Sequence, residues 1–356
     1  MSDNEFISKP DESGVRYYQS QDGAGVQIRP AGKNHSLRNS LIVLGGIIVA
    51  LIILGVACNN MFFEGETDIK LPNSSYIATM FVEGTISGGN YDSWGNPQGY
   101  QHRWTLNKID TLIDDLHNRG LILFVNTPGG GVYESDELYF KIKEYQEKTG
   151  NPVYVAMASM AASGGYYISA PADKIFANRN CWTGSIGVTI GTLIDVSGFL
   201  EKYGIKTTTI DSGKNKSMGS YFDPLTKEQK EILQALVDEA YDQFTGIVAG
   251  ERGIELDRVI EIADGRIYTA YQAMELGLID VIGTYDDAVQ DMQMEYFLMG
   301  CEVVELRYVY RSWVSNLLGN VGPGSFGGGG DAAVVLGLLE RQSKFPVSYL
   351  CEVLAY

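Results

Sequence analysis

Ser163 lies where an apolar, strand-forming run changes into a helical pattern. Residues 153–157 are apolar and β-prone, residues 161–165 are small, and residues 166–168 resume an apolar helical pattern. The first turn of a helix leaves its backbone N–H groups unpaired, so a serine at this elbow would expose its Oγ beside possible oxyanion donors. This setting suits a nucleophile, although an ordinary helix start with an N-cap serine has the same residues.

A serine nucleophile needs a base, and the histidines are poorly placed for that role. His35 precedes an apolar span, while His102 and His117 fall in a polar loop and on a charged helix face. A neutral lysine can replace histidine, since burial lowers a lysine pKa to ~5–6 in documented cases. The candidate is Lys216, and Lys214 would help to lower its pKa only if the two lie close. The alternative is that both lysines are solvated in a loop.

Two further segments fit acyl-transfer chemistry. Residues 128–131, Pro-Gly-Gly-Gly, follow the apolar run 121–125 and have no bulky side chain to block a carbonyl group. Their N–H groups could join that of Gly164 around an oxyanion. A glycine-rich turn is the alternative, and a phosphate loop lacks its Lys-Ser/Thr ending here. Ser185, after Gly184, could orient the lysine amine or could be an ordinary turn serine.

The elements that must position these residues alternate between strands and helices. Such alternation predicts an α/β fold of parallel βα units with helices on the sheet faces. Thr226 and Gln229 predict a capping box at the start of a long amphipathic helix. The predicted strands are residues 76–82, 121–125, 153–157, 174–177, 186–190, 207–210 and, at an edge, 303–309. The predicted helices are residues 106–116, which Gly120 would end, 133–148, 199–203, 226–251, 256–262, 271–276 and 286–299.

Composition excludes several classes of function. The chain has 356 residues and a net charge of −17, which disfavours binding to nucleic-acid phosphates. The four cysteines are scattered without a CxxC pair, so neither a metal cluster nor a disulfide framework is predicted. We therefore expect no cofactor, no metal and no nucleic-acid partner.

The ends of the chain differ from its centre. We expect residues 1–39 to be a disordered cytoplasmic leader and residues 40–63, an uncharged apolar run, to be a transmembrane anchor that crosses a ~30 Å hydrocarbon core. Lys33 and Arg38 precede this run, so the positive-inside rule predicts a single-pass protein of the cell membrane with its catalytic domain outside the cytoplasm. Residues 64–75 form a linker and residues 76–300 the catalytic domain.

Residues 301–356 form a C-terminal extension with a glycine-rich linker at 319–330 and an apolar end at 345–356. An extended apolar strand on a flexible tether could lie in the substrate groove of its own enzyme by β-augmentation. Packing at a subunit interface is the alternative interpretation.

Several separated motifs, taken in order, resemble the signal peptide peptidase A family in its short, single-repeat form. These membrane serine peptidases use a Ser-Lys dyad, and the resemblance covers about residues 76–294. The motifs are Asn-Thr-Pro-Gly-Gly-Gly-Val-Tyr-Glu-Ser at 126–135, Ala-Ala-Ser-Gly-Gly-Tyr-Tyr at 161–167, Thr-Gly-Ser-Ile-Gly-Val at 183–188, Ser-Gly-x-x-Lys at 212–216, Ala-Asp-Gly-Arg-Ile-Tyr at 263–268 and Gly-Leu-Ile-Asp at 277–280.

The resemblance implies a ClpP/crotonase-like ββα superhelix and specific roles for the matching residues. It makes Ser163 the nucleophile, Lys216 rather than Lys214 the general base, and Ser185 the residue that orients the lysine. It makes Gly130 and Gly164 the oxyanion donors, with Gly129 as a register-shifted possibility.

The resemblance also implies partners and substrates. It predicts a homo-oligomeric ring in which Ser163 of one chain works with Lys216 of the next, and it predicts cleavage of remnant signal peptides or other small apolar peptides at the membrane. Two alternatives stay open: a coenzyme A-dependent hydratase on the same superfold, and a catalytically inactive membrane scaffold.

Overall fold

The computed structural model describes residues 70–91, 97–308 and 348–350. These residues all belong to one structural unit, Gly65–Tyr356. The predicted leader, the predicted anchor at 40–63 and the glycine-rich stretch at 319–330 lie outside the described residues. Within the described part of the chain, no helix combines the length and the apolar character needed to cross a membrane.

The central strands of the main sheet are the buried apolar runs that the sequence predicts. The strands of this sheet are β1 (Tyr76–Glu83), β4 (Asn118–Thr127), β6 (Val153–Ala162), β7 (Lys174–Ala177), β10 (Val281–Ile282) and β11 (Glu302–Leu306). They lie side by side in the order β10–β7–β6–β4–β1–β11, and each strand is parallel to its neighbours in this order. This observation confirms the predicted α/β class with a parallel sheet.

Side chains of each central strand alternate between two cores on opposite faces of the sheet. In β1, for example, Tyr76 and Ala78 belong to the larger core and Ile77 to the smaller. The larger core also contains residues of α1 (His102–Asp114), α2 (Val132–Thr149), α3 (Gly164–Ser169), α5 (Lys227–Arg252), α6 (Leu256–Ile262) and α7 (Ala270–Glu275). The smaller core is covered by α8 (Tyr285–Glu295), through Ala288 and Met292.

Strand β6 changes its neighbour on one side before it ends, while it stays paired with β4 on the other. Val125 pairs with Met157, but two residues later Thr127 pairs with Ala161, so β6 contains extra residues between these pairs. Beyond this irregularity β6 pairs with β8 (Trp182–Gly184), which in turn pairs antiparallel with β9 (Ile267–Thr269). The bulge thus redirects the end of β6, and the residues that follow it, towards a second set of strands.

A short strand follows β4 outside the main sheet. This strand, β5 (Gly129–Gly131), forms an isolated parallel bridge between Gly130 and Ile86. On its other side it pairs antiparallel with β12 (Ser348–Leu350). Two more short strands, β2 (Asn90–Tyr91) and β3 (Pro97–Gln98), pair with each other.

Two predicted strands and one predicted helix end are wrong. Residues 186–190 form no strand, because the strand in this region is β8 and ends at Gly184. Residues 207–210 are exposed and form no strand, since β-prone residues need a partner strand to pair with. Gly120 does not end α1, which stops at Asp114, but lies inside β4.

A buried arginine, the last residue of α5, links the end of that helix to the sheet. Arg252, whose side chain is 7% exposed, donates to Asp280 Oδ1 at 2.6 Å, and Asp280 Oδ2 accepts from the Ile175 N–H at 2.7 Å. We expect Asp280→Ala to lower the free energy of unfolding by about 2–4 kcal/mol, because it leaves a buried guanidinium unpaired.

Urea denaturation measures this effect, with Glu231→Ala as the matched control. Glu231 pairs with Lys227 on the surface at 3.6 Å, so its loss should cost less than about 0.5 kcal/mol. Equal losses in the two variants would contradict an anchoring role for the Asp280 carboxylate.

Candidate active site

Ser163 forms the predicted elbow between strand and helix. β6 ends at Ala162, α3 begins at Gly164, and Ser163 is the N-cap residue with φ 54° and ψ −116°. Its N–H donates to the Gly184 carbonyl at 2.8 Å, and its carbonyl accepts from the Tyr167 N–H at 2.9 Å. The elbow is therefore held from both sides, by β8 and by the first turn of α3.

Backbone strain is concentrated at two of the predicted site residues. Among the residues that the structure describes, three non-glycine residues have a positive φ: Ser163, Ser185 and Phe297. Such conformations cost about 1–3 kcal/mol each and often mark functional sites. The two serines with this geometry are the ones that the sequence singled out.

The structure brings Ser163 and Ser185 to the same place. Ala162 of β6 pairs with Gly184 of β8, and the two serines directly follow these residues in the chain. The serines therefore lie at the ends of neighbouring strands. The Ser185 N–H donates to the Arg266 carbonyl at 2.8 Å. Both residues are buried, and the hydroxyl groups have no hydrogen-bond partner among the described residues.

Only glycine fits at position 184, the last residue of β8, which directly precedes Ser185. Gly184 has φ 78°, and a Cβ there would lie 2.5 Å from Tyr268 Cδ2. The close contact with β9 therefore fixes the end of β8 against which Ser163 is held.

The backbone of β5 directs one N–H group to the edge opposite Ile86, which is the edge that β12 pairs with. The Ile86 N–H donates to the Gly129 carbonyl and the Gly131 N–H to the Ile86 carbonyl, both at 2.9 Å. Since backbone groups alternate along a strand, the Gly130 N–H points to the opposite edge. The Gly129 N–H donates to Thr127 Oγ1 at 3.0 Å, so this geometry favours Gly130 over Gly129 as an oxyanion donor.

Close packing explains the glycines on both sides of this candidate oxyanion site. A Cβ at Gly130 would lie 1.8 Å from the Ile86 carbonyl oxygen, and one at Gly165 would lie 2.6 Å from Thr127 Cγ2. α3 consequently lies against β5. Gly164 is the first residue of α3, so its N–H has no acceptor within the helix.

Lys216 departs from the expectation of burial. Its side chain is exposed in this chain, and no described residue forms an ion pair or a side-chain hydrogen bond with it. Lys214 instead pairs with Glu228 at 2.7 Å, which compensates its charge. The structure thus brings Ser163, Ser185, Gly130 and Gly164 together but does not bond Lys216 to either serine.

The segment that carries Lys216 is exposed over most of its length. It runs from about residue 189 to residue 226 and contains only the short helix α4 (Ser197–Lys202), which has no buried residue. Large apolar side chains exposed on it are Leu193, Ile194, Phe199, Tyr203, Ile205, Ile210 and Phe222. So many exposed apolar groups in one segment are typical of a surface that binds another protein or a membrane.

His102 does not lie in a polar loop as predicted. It is the first residue of α1 and is buried, with Nδ1 2.7 Å from the Tyr100 hydroxyl and Nε2 2.8 Å from Glu137 Oε2. The hydrogen bond from His102 lowers the pKa of the Glu137 carboxyl. Both ring nitrogens are therefore occupied, and no hydrogen bond links the described histidines to Ser163.

Among the described residues, a buried cysteine and the acidic groups offer no second site. Burial raises the pKa of the Cys181 thiol to about 12, so the thiol stays protonated and unreactive. Within residues 70–91, 97–308 and 348–350, no group of three or more His, Cys, Asp or Glu residues could hold a metal ion.

Comparison with known proteins places this site in a family. The family model described as Peptidase family S49 matches residues 145–298, a range that contains Ser163, Ser185 and Lys216. A protein from Enterococcus faecium named as a signal peptide peptidase SppA is 39% identical over 267 residues, which is 73% of this chain and 77% of the relative. A protein from Methanocaldococcus jannaschii named as a protease is 40% identical over 272 residues, covering 74% of this chain and 84% of the relative.

A solved structure shows weaker similarity. A point mutant of ClpP1 from Listeria monocytogenes aligns with a TM-score of 0.39 and 17% identity, over 59% of this chain and 94% of that chain. The assignment rests instead on the family match and on the long alignments with the two relatives. The chain therefore belongs to peptidase family S49 and is a peptidase of the SppA type.

Proposed function

We propose that this protein is a serine endopeptidase in which Ser163 is the nucleophile and that it cleaves remnant signal peptides or other small apolar peptides. The observation that carries the proposal is the strained elbow at Ser163, set beside the first N–H of α3 and the outward N–H of Gly130. A nucleophile between two backbone donors is the arrangement that acyl transfer requires.

The proposed reaction uses these groups together with Lys216. Ser163 Oγ attacks the substrate carbonyl while the neutral Lys216 amine takes the hydroxyl proton, and the Gly130 and Gly164 N–H groups bind the oxyanion. Collapse of this intermediate breaks the peptide bond, and the lysine gives the proton to the leaving amine. Water then attacks the acyl carbonyl and gives a proton to the Lys216 amine, which passes that proton to Ser163 Oγ as the ester bond breaks. Ser185, next to Ser163, orients the lysine amine.

We propose further that the lysine comes from a neighbouring subunit. In the single chain the Lys216 side chain is exposed and forms no hydrogen bond or ion pair with a described residue, and its segment presents an exposed apolar surface. A homo-oligomeric ring would cover this surface and would bury Lys216 beside Ser163 of the next protomer, where desolvation favours the neutral amine.

The location at the cell membrane is also part of the proposal. The uncharged run at 40–63 is long enough to anchor the chain, and the basic residues before it favour a cytoplasmic N-terminus with the catalytic domain outside. Such an anchor would bring the site close to the apolar peptides that remain in the membrane after secretion.

A serine-reactive fluorophosphonate probe tests the nucleophile directly. We expect the folded protein to gain one probe adduct on Ser163, located by peptide mass spectrometry, and to hydrolyse apolar peptides. Ser163→Ala should lose the adduct. The matched control is Ser159→Ala, which removes an exposed serine of the same strand and should leave labelling unchanged.

Absence of both labelling and hydrolysis in a folded, oligomeric wild type would overturn the proposal in favour of a scaffold. Specific coenzyme A binding without hydrolysis would instead favour a hydratase on the same superfold.

A further inference from the structure

Phe297 occupies a backbone position that proteins usually give to glycine. It follows the C-cap residue of α8 with φ 57°, and the Leu298 N–H donates to the Gln293 carbonyl at 2.8 Å, which is the hydrogen bond of a Schellman helix end. The left-handed residues that end α2 and α5 are Gly150 and Gly253. A phenylalanine with this backbone is strained, and such strain often marks a functional site.

The side chain of Phe297 is almost fully exposed. Its exposed fraction is 93%, whereas Leu298, the next residue, packs against the smaller core. Met294 and Met299 are exposed by 61% and 71%. The end of α8 thus turns one residue towards the core and holds three large apolar side chains in solvent. Such a group is typical of a surface that binds a partner.

These side chains lie at the edge of the sheet where the chain enters the domain. The first strand, β1, begins at Tyr76, which pairs with Glu302 of β11 on one side and with Asn118 of β4 on the other. Met299 precedes Glu302 by three residues, and Leu116, which is 83% exposed, precedes Asn118 by two. The exposed apolar residues at this edge, called the apolar edge below, are Leu116, Met294, Phe297 and Met299.

The sequence before β1 indicates what covers the apolar edge. The uncharged run 40–63 is the predicted membrane anchor, and Leu71 packs against the larger core of the domain. Seven residues, 64–70, separate the two, and they span at most about 25 Å when fully extended. An anchored chain therefore holds the edge at which it enters the domain close to the bilayer.

The charges near the apolar edge favour an apolar contact over an electrostatic one. Lys174 pairs with Asp291 and Glu295 of α8 at 2.7 and 3.1 Å, and His117 Nδ1 lies 3.2 Å from Asp115 Oδ1. These charges are compensated within the domain, and the chain as a whole carries a net charge of −17. We therefore expect apolar side chains to enter the boundary between headgroups and acyl chains without help from anionic lipids.

We propose that the apolar edge lies on the bilayer surface, with Phe297 and Met299 inserted among the lipids beside the anchor. This is a second membrane contact, made by the folded domain itself. The proposal rests on the membrane location in the proposed function, but it does not depend on the peptidase reaction. It also gives the strained backbone of Phe297 a function, because the left-handed residue directs the aromatic ring away from the core and towards the bilayer.

Photo-cross-linking of the full chain in phosphatidylcholine nanodiscs tests this contact. The photoreactive residue p-benzoylphenylalanine replaces one phenylalanine at a time: Phe62 in the uncharged run, Phe297, or, as the matched control, Phe140, which is 61% exposed and lies halfway along α2. We expect lipid adducts from positions 62 and 297 and none from position 140.

The three positions separate the possible failures. Lipid adducts at 62 but not at 297 would overturn the contact and leave the anchor intact. A cross-link from 297 to a second copy of the chain would also overturn it, since the apolar edge would then be a subunit interface. Lipid adducts at neither position would mean that the membrane location fails, and the proposal fails with it. Peptide hydrolysis by the same samples reports separately on the peptidase.

A glycine substitution separates membrane contact from a role in folding. Phe297→Gly relieves the left-handed strain, so we expect its Tm in detergent to rise by about 2–4 °C. Phe140→Gly places glycine inside a helix and should lower the Tm by a similar amount. With p-benzoylphenylalanine at position 299, the yield of lipid adducts should fall about fivefold in Phe297→Gly and stay unchanged in Phe140→Gly. A lower Tm for Phe297→Gly would show that Phe297 serves the fold, and an unchanged yield would show that its ring is not in the bilayer. Either result overturns the proposal.

Discussion

Replacing Ser163 by alanine should reduce kcat/KM for peptide hydrolysis by at least about a thousandfold, because no acyl-enzyme can form. The Ser163 side chain is buried and forms no hydrogen bond with a described residue, and alanine removes only its Oγ, so the variant should fold and assemble. Hydrolysis of a fluorogenic apolar peptide measures the loss. Circular dichroism and sedimentation confirm that the loss is chemical rather than structural.

Lys216→Ala should be equally inactive, since the members of a dyad act as a unit. Lys214→Ala is the matched control. It removes a lysine two positions away that pairs with Glu228, and it should retain near wild-type activity. A fully active Lys216→Ala variant would show that the base lies elsewhere.

Mixing the two inactive variants tests where the dyad is completed. If Ser163 works with Lys216 of the next subunit, some sites in a mixed oligomer combine Ser163 from the Lys216→Ala variant with Lys216 from the Ser163→Ala variant. In an equal mixture, half of the subunits carry Ser163 and the other half carry Lys216. A quarter of the sites are then intact, so about a quarter of wild-type activity should return. Mixed oligomers that remain inactive would show instead that both residues act within one chain.

The parts of the site that the sequence predicted correctly depend on local interactions. The change from apolar to small to helical residues around Ser163 defines a strand, a turn and a helix over about fifteen positions, and the structure has this elbow. The capping box at Thr226 and Gln229 is also formed as predicted, because all its hydrogen bonds lie within four residues. Long periodic helices such as α5 follow from the same local rules.

The parts that were missed depend on contacts between distant residues. The burial of His102 requires Glu137 of α2, 35 positions away, and a polar sequence around the histidine does not indicate this partner. β8 occupies residues 182–184 rather than 186–190 because the bulged end of β6 is available to pair there. The exposure of Lys216 and the pairing of Tyr349 with Gly130 likewise depend on how distant segments meet, which residue spacing does not determine.

Gly130→Ala should be the most damaging substitution outside the dyad. A Cβ at this position would lie 1.8 Å from the Ile86 carbonyl oxygen and 2.7 Å from its Cα, both atoms of a neighbouring backbone. Because no side-chain rotation relieves such a clash, β5 must move away from Ile86, and the Gly130 N–H moves with it. Loss of one oxyanion donor costs about 2.7–4 kcal/mol of transition-state stabilisation, so kcat should fall by about 10²–10³-fold.

The fall in kcat can be separated from a general loss of structure. The control is Gly246→Ala in α5, where a Cβ would meet no atom within 4 Å. That variant should keep full activity and gain about 0.5–1 kcal/mol of stability, since alanine favours a helix interior. Gly130→Ala should still unfold cooperatively and still react with the fluorophosphonate at Ser163, but more slowly. If the folded variant retained kcat within about threefold, the oxyanion would be bound without Gly130. Its N–H would then serve only the pairing with β12.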